Sequence, residues 1–79
     1  MPEVKVYSTI TCPWCKAAKE YLRSRNIPFA DIDVGIDRAA ALEMVQLSGQ
    51  YGVPVITING EVVIGFDRPK IDRLLEKSA

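Results

Sequence analysis

The chain has no histidine and only two cysteines, and its one tryptophan stands between them. A structural zinc site takes about four Cys or His ligands, so a closed zinc centre within one chain is excluded. Long hydrophobic runs are missing as well. No stretch approaches the ~20 apolar residues of a membrane span, and no N-terminal apolar run resembles a secretory signal. Charge of one sign is also lacking, since ten basic residues cancel ten acidic ones. Without a basic stripe and interleaved aromatics, nucleic-acid binding is not expected. Repeats, linkers and low-complexity tracts are absent, so residues 1–79 read as one small domain. Such a short chain buries a modest core, and its apolar content of 48% argues against disorder. Two cysteines without an export signal point to a reducing cytoplasm. There a Cys-x-x-Cys is more often catalytic than structural.

What the chain does have is Thr11-Cys12-Pro13-Trp14-Cys15-Lys16. Two thiols at this spacing close a disulfide if the backbone between them turns tightly, as it does in the first turn of a helix. Pro13 suits the first helical position, where its missing N–H costs nothing. Cys12 then falls at or beside the N-cap, where unpaired backbone N–H groups point at its sulfur. Those donors and the positive end of the helix dipole favour negative charge there, and Lys16 adds a little. The sulfur that results is a nucleophile. A purely structural disulfide is the weaker reading, because so short a loop gains little from cross-linking. A metal or cluster shared between subunits is the remaining alternative.

The elements follow from pattern. Val4 to Ser8 is a β-branched and aromatic run, read as the first strand. Trp14, Ala17, Ala18, Tyr21 and Leu22 recur at helical spacing, with Lys16, Lys19, Glu20 and Arg23 on the wet side. That helix is expected to end near Asn26, ahead of Pro28. Trp14 has two readings, a core residue or a wall beside the reactive sulfur. Phe29 to Val34 reads as the second strand, with Ala30, Ile32 and Val34 on one face. Asp37 is a candidate N-cap for a second helix that closes at Ser48-Gly49. Asn59-Gly60 between Val55–Ile58 and Glu61–Ile64 is a strong hairpin signal. Asp67 caps a last helix with Pro69 in its first turn, and Phe66 is placed to staple against Ile71. The order βαβ then ββα predicts an α/β three-layer sandwich, with a four-stranded mixed sheet and three helices. A Cys-x-x-Cys opening the helix after its first strand reads as a thioredoxin-like redox motif.

At this level of detail the sequence resembles the glutaredoxin family over nearly its whole length. Cys12-Pro13-Trp14-Cys15 is similar to the family's Cys-Pro-aromatic-Cys active site, and Val53-Pro54 to its Val-Pro, whose proline is cis. Ile58-Asn59-Gly60-Glu61 and Gly65-Phe66-Asp67 fall where glutaredoxins carry their hairpin and their glycine-aspartate segment. The resemblance implies that Val53 presents its backbone to an extended substrate near Cys12. A proline that merely starts a strand is the simpler alternative for Pro54. It also implies a glutathione or substrate site that draws on Thr9, Trp14, Val53, Pro54, Gly65, Phe66 and Asp67. Three positions depart from the family. Thr9 stands where many members have lysine, Gly52 where they often have threonine, and Ile64-Gly65 where two glycines are common. Gly65-Phe66-Asp67-Arg68-Pro69 further resembles the loop of the redoxins, glutaredoxin-like donors to ribonucleotide reductase that are reduced by thioredoxin reductase.

Together these observations predict a monomeric thiol–disulfide oxidoreductase acting on protein or mixed disulfides. Cys12 attacks and Cys15 resolves, supported by Pro13, Trp14, Lys16, Val53 and Pro54. The thiols carry the electrons, so no bound cofactor is expected, and glutathione is the co-substrate. Recycling by thioredoxin reductase is the alternative. A glutathione-assisted iron–sulfur scaffold sharing a cluster through Cys12 is a third reading, which the rigid Pro13 disfavours.

Overall fold

Seven elements run along the described residues. They are β1 (Val4–Ser8), α1 (Pro13–Ser24), β2 (Ala30–Asp33), α2 (Arg38–Ser48), β3 (Val55–Ile58), β4 (Glu61–Ile64) and α3 (Arg68–Lys77). The structure, a computed structural model, describes residues 2–77. The sheet order is β2-β1-β3-β4. β1 pairs with β2 in parallel, Tyr7 opposite Ile32, and with β3 antiparallel, Val6 opposite Ile56. β3 and β4 form the antiparallel hairpin, with Ile56 opposite Val63. The mixed sheet and three helices match the expected architecture.

The period-2 alternation of strand side chains creates the layers. Val4 and Val6 of β1, Ile56 and Ile58 of β3 and Val63 of β4 pack with Ala18 and Leu22 of α1 and Ile71, Leu74 and Leu75 of α3. Tyr7 and Val55 turn the other way and pack with Met44 of α2. Burying a side chain such as Leu22 contributes about 1.5–3 kcal/mol, and Leu22 is fully buried.

Local chemistry sets the boundaries. Asn59 and Gly60 both have positive φ, 51° and 87°, as a two-residue hairpin requires. Gly49 ends α2 in the left-handed conformation, and Asp37 caps its start by accepting from the Ala40 N–H. Asp67 caps α3 in the same way, accepting from the Lys70 N–H at 3.3 Å. Two boundaries differ from expectation by a residue or two. α1 ends at Ser24, because Asn26 turns left-handed at φ 57°. β2 excludes Phe29, which packs on the core beneath α1, and Val34, whose N–H still reaches the Ser8 carbonyl. Of the face expected for β2, Ile32 and Val34 pack on the α2 side while Ala30 is exposed. Phe66 packs on the cluster that contains Ile71 and meets the Tyr21 ring at 5.7 Å between centroids. Asp72 joins α3 to α1 by accepting from the Tyr21 hydroxyl and from Arg25. No described helix is long and apolar enough to cross a membrane.

Candidate active site

Pro13 opens α1, and Cys12 caps it from an extended conformation with φ −91° and ψ 113°. The cap places the Cys12 sulfur over the first turn, where it accepts the Cys15 N–H at 3.1 Å. The loop behind it is closed by the Cys12 N–H, which donates to the Thr9 carbonyl at 3.4 Å. From the other side of the site comes Val53, whose carbonyl accepts the Cys12 thiol at 3.8 Å. The Val53-Pro54 bond is cis, and β3 begins at the next residue.

The two thiols occupy unequal environments. Both are free; Cys12 is half-buried and Cys15 is buried at 1% exposure. Burial, and then the neighbouring Cys12, push the Cys15 thiol from an ordinary 9.0 up to about 11. The Thr9 backbone and the charge of Lys19 oppose that rise.

Beside the sulfur, Trp14, Val53, Pro54, Gly65 and Phe66 line a groove of about 320 Å³. Gly65 adopts φ 76°, and its N–H donates to the Pro54 carbonyl at 2.8 Å, which pins the loop before α3 to the cis-proline. Trp14 is 65% exposed, so it is a wall of the groove and not a core residue. Thr9, Lys16 and Asp67 do not line the groove. Thr9 instead closes the cysteine loop through its backbone, Lys16 is exposed, and Asp67 caps α3.

Sequence reasoning placed Lys19 on the wet side of α1, and the structure corrects this. Its side chain is only 16% exposed and its ammonium bonds Ser8 and Asp31. The available signal was its spacing, four residues after Cys15, which puts both on one helix face. Also missed were Ile10, Ile36 and Tyr51, exposed at 88%, 87% and 84%. They lie in the loops β1–α1, β2–α2 and α2–β3, which the strand directions bring to the same end of the sheet as Cys12. Among the described residues, no group of His, Cys, Asp or Glu is arranged to hold a metal ion.

Comparison with known proteins extends this picture. The Glutaredoxin family profile matches residues 4–63. An uncharacterised glutaredoxin-like 8.6 kDa protein in the rubredoxin operon of Clostridium pasteurianum is 54% identical over 94% of this chain and 99% of its own. A crystal structure of a thioredoxin-like protein superposes with a TM-score of 0.89 at 36% identity, covering 96% of this chain and 97% of that one. The glutaredoxin-like NrdH-redoxin of Escherichia coli superposes with a TM-score of 0.79 at 26% identity, covering 91% and 93%. The fold is thus the thioredoxin-like one, with a thiol pair at the start of its first helix. The chain belongs to the glutaredoxin family, and its general class is thiol–disulfide oxidoreductase.

Proposed function

We propose that the protein reduces protein or mixed disulfides in the cytoplasm as a monomer, with Cys12 as nucleophile and Cys15 as resolving thiol. The observation that carries this reading is the half-buried Cys12 sulfur at the head of α1, with the buried Cys15 thiol one helical turn behind it. The Cys12 thiolate attacks a substrate disulfide and forms a mixed disulfide. Cys15 then attacks the Cys12 sulfur, releases the reduced substrate and leaves an intramolecular disulfide. Val53 supplies a backbone edge for the substrate chain next to that sulfur.

Glutathione is the proposed co-substrate, and no resident cofactor is needed. The groove of about 320 Å³ between Trp14, Pro54 and Phe66 is of a size for a tripeptide. Its far side runs into the start of α3, a place suited to the γ-glutamyl carboxylate. The exposed Asp67 there pairs with the γ-glutamyl ammonium. Thr9 offers the glycyl carboxylate no charge, so Lys16 or Arg38 must serve instead.

A second reading is favoured by one observation. The groove carries no basic wall, and Ile10 and Tyr51 stand exposed in loops at the same end of the sheet. That rim suits a protein partner, as expected of a redoxin-like donor recycled by thioredoxin reductase. The E. coli NrdH-redoxin is described as having a thioredoxin-like activity profile. The deciding experiment offers the oxidised protein to glutathione with its reductase, and separately to thioredoxin reductase with NADPH. Turnover with glutathione supports the first reading. Rapid reduction by thioredoxin reductase with none by glutathione overturns it in favour of the second.

A further inference from the structure

Lys19 sits where a lysine is costly. Its side chain is 16% exposed, and its Nζ lies 3.2 Å from Ser8 Oγ and 3.2 and 3.3 Å from the two carboxylate oxygens of Asp31. Ser8 is itself buried at 1% exposure, and its hydroxyl donates to Asp31 at 3.3 Å. Three elements, α1, β1 and β2, therefore converge to hold one ammonium. A partly buried ion pair gains little net stability over a packed apolar side chain, so its position matters more than its strength. One turn back on the same helix face is Cys15, and residues four apart on a helix are neighbours at about 5–6 Å between Cβ atoms.

We propose that Lys19, fixed by Ser8 and Asp31, is a positioning residue for the resolving step, its ammonium stabilising the Cys15 thiolate as it forms. This rests on Cys15 being the resolving thiol, as proposed above. The groups that act on the Cys15 sulfur are the Cys12 sulfur and Thr9 backbone from the site loop, and Lys19 from its own helix. Asp31 acts through Lys19 by neutralising part of its charge. The chemistry is a single exchange. Cys15 gives up its proton to solvent, its electron pair forms the bond to the Cys12 sulfur, and the pair of the broken mixed disulfide leaves with the substrate thiolate.

The test follows the reduced protein mixed with a chromogenic aromatic disulfide, 5,5′-dithiobis(2-nitrobenzoate), in a stopped-flow instrument across pH. Attack by Cys12 releases the first coloured thiolate, and attack by Cys15 on the mixed disulfide releases the second. Where a charge holds a thiol pKa down by about one, its removal cuts the thiolate fraction about tenfold at neutral pH. The intrinsic nucleophilicity rises in partial compensation, with a Brønsted slope of ~0.4–0.5. Lys19→Met is therefore expected to slow the second phase about threefold for every tenfold loss of thiolate. The inflection of its pH profile moves upward, and Lys19→Arg restores both. Asp31→Asn removes the countercharge, while its amide oxygen and Ser8 still hold the ammonium in place, so it is expected to speed the second phase. A merely structural bridge moves both variants the same way, and that result overturns the proposal, as does a Lys19→Met profile with an unmoved inflection. Cys15→Ser must lose the second phase altogether. If it does not, the assignment of Cys15 as resolving thiol fails, and that failure is separate from any result at Lys19.

Discussion

The backbone N–H of Cys15 donates to the sulfur of Cys12 across 3.1 Å. That bond records how unequally α1 places its two thiols. The residue at the cap receives a helix donor at its sulfur, while the residue inside the first turn supplies the donor and buries its own side chain. A negative charge on Cys15 is penalised by its burial.

Cys12→Ser is expected to abolish disulfide reduction. Cys15→Ser is expected to retain the first attack and to accumulate mixed disulfides with protein substrates. Limiting alkylation at mildly acidic pH, read by peptide mass analysis, labels Cys12 first. Preferential labelling of Cys15 reverses the assignment.

The raised Cys15 thiol also makes reduced protein sensitive to alkali. Its folded value, about 11, exceeds the ordinary 9.0. The folded state therefore holds the proton more tightly than the unfolded chain. That stability is fully present below about pH 9 and is lost as pH rises towards 11. Tyr7, pushed up to about 12 by burial and by Glu43, contributes a similar loss over a slightly higher range. Urea midpoints of wild type and Cys15→Ala, both reduced, are expected to differ least at the upper end of that window. A constant difference from pH 7 to 11 contradicts the assigned burial effect.

Gly65 holds the groove loop at a positive φ of 76°, and a Cβ there meets no atom within 4 Å. Gly65→Ala is thus a conformational penalty without a clash, about 1–2 kcal/mol. Chemical denaturation is expected to show a lowered midpoint with an unchanged slope. No loss of stability means that the loop adopts a different backbone.

Thr9→Lys supplies the charge that the glutathione reading lacks at this position. An exposed charge pair is worth about 0.2–1 kcal/mol, so saturation by glutathione is expected to tighten by a factor of a few. Asp67→Ala is expected to weaken it. Initial rates against glutathione concentration, with a small mixed-disulfide substrate, measure both. A Thr9→Lys variant with unchanged saturation places the glycyl carboxylate elsewhere.

Much of this molecule is legible from its residues, because its signals are local. Pro13 after Cys12, Asp37 before an alanine-rich run and Asn59-Gly60 between β-branched runs each state a backbone conformation that the structure adopts. The cis bond before Pro54 was legible only through family resemblance, since a strand-opening proline has the same sequence appearance. Lys19 was misplaced because helical periodicity sorts by polarity, and a lysine drawn inward by Asp31 and Ser8 breaks that sorting. Its partners lie 12 and 11 positions away, on strands whose register no local pattern reveals. Ile10, Ile36 and Tyr51 escaped notice for a related reason. They come to the same end of the sheet as Cys12 only once β1, β2 and β3 are aligned.

The exposed rim has an evolutionary consequence. Ile10, Ile36 and Tyr51 are all more than four-fifths accessible and belong to neither packed layer. Substitutions at such positions usually change stability by no more than about 0.5 kcal/mol. These positions can therefore drift while the thiol pair and the scaffold beneath it stay fixed.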